Sequence, residues 1–152
     1  MPQPMLRSPR FRWINFYPPL LGAGIRVLHR ESDADTIRVQ MKLTRFNVNA
    51  VGTHFGGSLY AMCDPFFMLI LMHHLGREYV VWDTAASIQF IRPGRGRVTA
   101  TFHIPQQTTD DIRTRVDAGK KVEPEFQVDV MAEDGQVVAH VEKKLYIRKR
   151  KR

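Results

Sequence analysis

Residues 47–75 read Asn47-Val-Asn-Ala-Val-Gly-Thr-His-Phe-Gly-Gly-Ser-Leu-Tyr-Ala-Met-Cys-Asp64-Pro65-Phe-Phe-Met-Leu-Ile-Leu-Met-His-His-Leu75. A polar loop bearing Gly52 and the pair Gly56-Gly57 runs directly into the longest apolar run of the chain, whose bulky groups fall on every side. A helix of that kind is buried all round. The flanking segments read as strands, so the simplest cover is a curved antiparallel sheet wrapped around the helix, with any remaining face closed by a second copy of the chain. One charge interrupts the run, at Asp64. An ionised carboxylate there must be paired, hydrated or functional, because burying it alone is costly.

Before this stretch, Ser8-Pro9 offers a helix N-cap followed by proline, and Trp13, Phe11 and Ile14 give a short apolar helix ended by Tyr17-Pro18-Pro19. Gly24 to Arg30 and Thr36 to Leu43 then turn strand-like. Ile37, Val39, Met41 and Leu43 alternate with Arg38, Gln40 and Lys42, and Asp33-Ala34-Asp35 supplies the turn of a hairpin. After the central run, Val80 to Ile91 is a long strand, separated by Arg92-Pro93-Gly94-Arg95-Gly96 from a second in which Val98, Ala100, Phe102 and Ile104 alternate with polar neighbours. These two are expected to form a second hairpin. Thr108 to Lys120 reads as a surface helix ending at Gly119, with Ile112 and Val116 four apart. Two further strands, one carrying Phe126, Val128 and Val130 and one from Val137 to Ile147, flank the tight-turn pair Asp134-Gly135.

At 152 residues with 43 % hydrophobic and 25 % charged, the chain fits one globular domain, which excludes disordered and collagen-like classes. A single cysteine, Cys63, excludes an internal disulfide and a multi-cysteine zinc site and suits a reducing compartment, so the cytoplasm is expected. The amino terminus lacks a secretory pattern. Asp64 and Pro65 at the middle of the apolar run argue against a membrane span. A formal charge of +8 favours an anionic partner, although the basic tail 148–152 also reads as a solvated terminus. No aromatic-basic motif of an RNA-binding module accompanies it, so nucleic acid is not the expected partner. His73 and His74 are adjacent on a helix and cannot face one metal together, so no metal site is expected.

The order of elements, with the spacing Asn49, Gly52-Thr53, Gly56-Gly57 and Asp64, resembles the hotdog fold, and within it the PaaI-like acyl-CoA thioesterases and their DUF4442 relatives. The resemblance implies an α+β hotdog domain over residues 1–152, a six-stranded curved antiparallel sheet wrapped around a long central helix, with an N-terminal helical segment (1–23) and a basic tail (148–152). In the catalytic PaaI-like pattern an asparagine precedes Gly-Thr-X-His-Gly-Gly, and an aspartate stands eight residues after the first glycine of the pair. Asn49, Gly56 and Asp64 fall on those positions without a gap. This chain departs by placing Phe55 where the family has histidine, with His54 one residue early, and in this it is more similar to the DUF4442 group.

Thioester hydrolysis needs an attacking water, a base for its proton, and donors aimed at the developing oxyanion. The N–H groups of Gly56 and Gly57, if they begin the helix, point outward at its positive end. Such a donor is worth about a hundredfold in rate, and Asn49 could orient the same oxygen or the water. Asp64 is then the base or nucleophile. Along a continuous helix Gly56 and Asp64 lie roughly 12 Å apart, too far for one reacting carbon, so two protomers across a two-fold axis would build each site. The resemblance implies the same homodimer, usually paired into tetramers. Its substrate would be an acyl-CoA or similar thioester, with coenzyme A as part of the substrate and no other cofactor. His54, Phe55 and Gly57 would line the site. Arg92, Arg95 and Arg97 are candidate phosphate contacts, because guanidinium forks match phosphate oxygens.

Each of these residues has a structural alternative. Asp64-Pro65 is also a sound N-cap and N1 pair, so that the helix could begin there. Gly56-Gly57 also reads as a turn, His54 as a core or surface histidine, Cys63 as an inert buried thiol, and the three arginines as a solvated turn. Trp13, Phe16, Tyr17, Phe66 and Phe67 read as core. The function readings are therefore an acyl-CoA thioesterase, a non-catalytic hotdog module binding acyl-CoA or a fatty-acyl ligand, and, last, association with an anionic surface through the tail.

Overall fold

The computed structural model describes residues 11–29 and 35–151. Ser8-Pro9 and most of the turn Asp33-Ala34-Asp35 lie outside the described residues, as does Arg152. A 3-10 turn at Ile14–Phe16 precedes α1 (Pro18–Ala23), β1 (Ile25–Val27) and β2 (Thr36–Lys42). The central stretch forms α2 (Gly56–Ala61) and α3 (Phe66–Leu75), followed by β3 (Tyr79–Phe90) and β4 (Arg97–His103). The chain then runs through α4 (Gln106–Asp117), β5 (Glu125–Ala132) and β6 (Val137–Lys149).

The fold is α+β, with one six-stranded antiparallel sheet in the order β1-β2-β4-β5-β6-β3 curled around the central helical element. Period-two alternation produces the wrap: Ile37, Val39 and Met41 on β2 and Val98, Ala100 and Phe102 on β4 turn inward and are buried. Against them α3 buries Phe66, Phe67, Ile70, Leu71 and Leu75. Three ring contacts weld helix to sheet, with Phe66 and Phe67 at 5.0 and 5.2 Å from Phe102 and Phe67 stacked at 5.0 Å on Phe126. The β5–β6 hairpin turns through Asp134-Gly135, where Gly135 takes φ +79°, a conformation open to glycine at no steric cost.

Several expectations from the sequence need correction. The central helix is interrupted: α2 ends at Ala61 and α3 begins at Phe66, with Met62 to Pro65 between them. Pro65 lacks the N–H that a continuous helix would need, which accounts for the break. The stretch Gly56–Leu75 is long and apolar enough by composition to cross a bilayer, yet half of its apolar window is buried within the protein. β3 and β4 are not a hairpin: among the described residues β3 pairs only with β6, and β4 sits between β2 and β5. The Pro93-Gly94 segment is therefore a crossover from the sheet edge, and alternation alone cannot report which strands pair.

Pro18 starts α1 instead of ending the preceding turn, since a ring-fixed φ suits the first helical position. Trp13, Phe16 and Tyr17 are exposed, whereas Phe66 and Phe67 are buried as expected. Of the basic tail, Arg148 and Lys149 belong to β6, and Lys149 pairs with Asp117 at 2.8 Å. A terminus read as loose thus contributes its first two residues to the sheet.

Candidate functional site

The helix break puts the Asp64 carboxylate at the edge of the core, with half of its side chain (50 %) exposed. It does not cap α3, whose N-cap position is Pro65 with no side-chain cap bond. Its Oδ1 accepts from Tyr60 OH at 2.8 Å, one helical turn earlier, and from Lys143 Nζ at 2.9 Å. Lys143 faces inward from β6 between Val141 and Leu145, its side chain 0 % exposed. The same Nζ lies 3.0 Å from Asp83 Oδ2 on β3 and donates to Tyr60 OH at 3.0 Å. Asp83 sits beside a register shift in the β3–β6 ladder, and its other oxygen, Oδ1, is buried without a hydrogen-bond partner.

Charges in this cluster are shifted in understandable directions. Burial works against the Lys143 ammonium, but its bonds to Asp64, Tyr60 and Asp83 outweigh that and raise its pKa. Burial raises the pKa of Asp83, with Lys143 pulling the other way. Burial also pushes Cys63 up to about 12, leaving an inert thiol. A cleft of about 230 Å³ between β3, β5 and β6, lined in part by Ala86, Ser87, Phe126 and Gln127, reaches Lys143.

At the other end of α2, Ser58 and Leu59 N–H groups bond the Phe55 carbonyl, and no side chain caps the helix. Among the described residues the N–H groups of Gly56 and Gly57 meet no acceptor, as the first donors of a helix are left. Two rings crowd these glycines. A Cβ added at Gly56 would fall 2.9 Å from Phe90 Cζ, and one at Gly57 would fall 2.5 Å from Phe55 Cε1. Both Phe55 and Phe90 are exposed.

Asn49 and His54 brace the loop that leads there. Asn49 Oδ1 accepts from the N–H groups of Val51 and Thr53, and its Nδ2 donates to Thr53 Oγ1 and the His54 carbonyl, so its side chain is engaged within the loop. His54 is buried, and its Nε2 lies 2.9 Å from the Gly96 carbonyl, which can only accept, so Nε2 carries the proton. Burial lowers its pKa despite that hydrogen bond, and its Nδ1 is left without a partner.

Of the three arginines, Arg92 is committed to Asp134 at 2.8 Å and to Gln136. Arg95 reaches the Gly52 carbonyl at 3.5 Å. Arg97 lies across the β2–β4 ladder from Lys42. The structure thus gathers Gly56, Gly57 and Phe55 at one helix end and Asp64 at the break. Tyr60, Asp83 and Lys143 complete the site, and the sequence reading passed over all three. The readable signal was Lys143, a charge on the apolar side of the alternation Val141, Lys143, Leu145, Ile147.

The family described as a domain of unknown function, DUF4442, matches residues 11–147. Among curated proteins none matches. Three solved structures share the fold at low identity. A protein of unknown function from Chlorobaculum tepidum is 18 % identical with a TM-score of 0.78, covering 98 % of each chain. A thioesterase from Haemophilus influenzae is 15 % identical with a TM-score of 0.70, covering 98 % of this chain and 96 % of its own. The PaaI protein of the E. coli phenylacetic acid degradation operon is 19 % identical with a TM-score of 0.67, covering 97 % of this chain and 94 % of its own.

Proposed function

This chain belongs to the DUF4442 family, and we propose that it hydrolyses an acyl-CoA or similar thioester in the cytoplasm, with no cofactor beyond the coenzyme A of its substrate. The observation that carries the reading is the Asp64 carboxylate, half exposed at the break in the most apolar stretch of the chain. In the proposed reaction Asp64 takes a proton from water while the water oxygen bonds the thioester carbonyl carbon. The N–H groups of Gly56 and Gly57 receive the oxyanion. Collapse breaks the C–S bond, and the proton held by Asp64 passes to the departing thiolate, giving a free acid and a free thiol.

A homodimer, paired further into a tetramer, would supply Asp64 of one copy and Gly56 of the other. The edge of β3 supports this, since among the described residues that strand pairs on one side only and its residues from Thr84 to Ser87 are exposed. Asn49 supports the glycine loop, and Arg95 with Arg97 would meet the phosphates, since Arg92 is engaged with Asp134 and Gln136. Steady thiol release from a panel of acyl-CoA thioesters tests the reading, and no turnover at any chain length overturns it.

A second reading rests on the aromatic rings. Phe55, where catalytic relatives have histidine, and Phe90 crowd the two glycines, which suits a module that binds an acyl-CoA or fatty-acyl ligand without cleaving it. It predicts a ligand-dependent rise in the unfolding midpoint with no thiol released.

A further inference from the structure

A lysine ammonium has three hydrogens, and Lys143 spends them on three acceptors: Asp64 Oδ1 at 2.9 Å, Asp83 Oδ2 at 3.0 Å and Tyr60 OH at 3.0 Å. None remains for a substrate, so the residue can act only through its neighbours. Its effect on Asp64 is directional. Oδ1 is tied by two donors, Lys143 and Tyr60, which leaves Oδ2 as the oxygen of the half-exposed carboxylate able to take a proton from water.

The charges point the same way. Two carboxylates around one ammonium carry one negative charge in excess. If Lys143 had only Asp64 as partner, proton uptake by Asp64 would strand a buried cation, a costly outcome. With Asp83 also in contact, the same uptake leaves a neutral Lys143–Asp83 pair. We propose that Lys143 is the positioning residue of the site, fixing Asp64 with Oδ2 free, and that Asp83 is the counter-charge that keeps the ammonium paired while Asp64 is protonated. This rests on the hydrolase reading for its purpose, but the anchoring itself is testable without turnover.

The first measurement is a set of thermal midpoints for the full chain carrying Asp64→Asn, Lys143→Met and both. Asp64→Asn lowers the midpoint when Lys143 is present, because it removes a partner. In the Lys143→Met background it costs much less, because the ion pair is already gone while Tyr60 and solvent still meet the carboxylate. Equal losses in both backgrounds overturn the anchor. Should Lys143→Met fail to fold, Lys143→Met with Asp83→Asn removes the buried unpaired acid and restores folding, and Asp64→Asn is added to that pair; a failure of the pair to fold overturns the charge argument.

The second measurement reads position. On an active thioester, Lys143→Met lowers kcat by about a hundredfold, the loss expected when a general base is displaced, while KM stays within about threefold. Lys143→Arg, which keeps the charge, recovers part of kcat. An unchanged kcat in Lys143→Met overturns the positioning role and leaves the hydrolase reading intact. Absence of turnover in the unmodified chain defeats the hydrolase reading instead, and the midpoints alone then decide the anchor.

Discussion

Lys143 Nζ stands 2.9 Å from Asp64 Oδ1 across 79 residues of sequence, tying the inward face of β6 to the break in the central helix. The pair joins the one charge of the apolar stretch to the one lysine buried among the described residues, and it explains how a carboxylate is tolerated at that place. Half of the Asp64 side chain keeps water, so the bridge costs less desolvation than a fully buried pair.

Asp64→Asn should abolish thiol release, by about a hundredfold or more in kcat, with the fold retained. Its stability cost should be about 1 kcal/mol, below that for breaking a fully buried pair, because the side chain is half exposed and Asp83 still meets the ammonium. Circular dichroism and denaturant unfolding alongside the thiol assay check both parts. A collapse of the fold would mean that Asp64 is a structural residue.

Two glycines should respond differently to alanine. At Gly94 the new Cβ would sit 2.9 Å from Val138 Cγ1 and 3.2 Å from His54 Cδ2, both in buried residues, so Gly94→Ala should cost about 1–3 kcal/mol of unfolding free energy through overpacking. At Gly56 the obstruction is the tip of the exposed Phe90 ring, which can swing into solvent, and the cost should stay below about 1 kcal/mol. Urea titrations of the two variants decide this; equal costs would contradict it.

His54 should make the protein sensitive to mild acid. Burial holds its folded pKa below the ordinary value of about 6.5. Its contribution is therefore fully present above the unfolded value, and it drains away as pH falls from there through the lower folded value, because the unfolded chain binds the proton more readily. Unfolding midpoints of the unmodified chain should fall between pH 7 and about pH 5. In His54→Gln that slope should flatten, and an unchanged slope would place the acid sensitivity elsewhere.

Cys63 should resist thiol reagents in the native state. It is buried and its pKa is raised to about 12, so at neutral pH almost no thiolate is exposed. An aromatic disulfide reagent should react only after denaturant is added. Rapid labelling under native conditions would show that the α2–α3 break opens readily.

Much of the scaffold was legible along the chain. The alternation of Ile37, Val39 and Met41 gave β2, Asp134-Gly135 gave the β5–β6 turn, and the all-round apolar run gave a helix buried inside a sheet. The glycine pair was also legible as a helix start, since α2 begins at Gly56. The reading of Pro18 failed, and that of Pro65 stayed open between a continuous helix and a new start, for a shared reason. Pro18 and Pro65 are compatible with either the end or the beginning of a helix, and packing on either side decides which.

What the sequence determined by itself was periodicity: which residues share a face, where the chain turns, and that Asp64 needs an explanation. Such information is local, because side-chain direction repeats every two residues in a strand and every 3.6 in a helix. What only the tertiary structure decided was partnership. Strand order set β6 between β5 and β3, and that order brings Lys143 opposite Ala86 and its ammonium to Asp83, within reach of the helix break. No pattern of hydrophobicity records which strands lie side by side, so the alternation could mark Lys143 as a charge on an apolar face, but only the closed sheet made it the partner of Asp64.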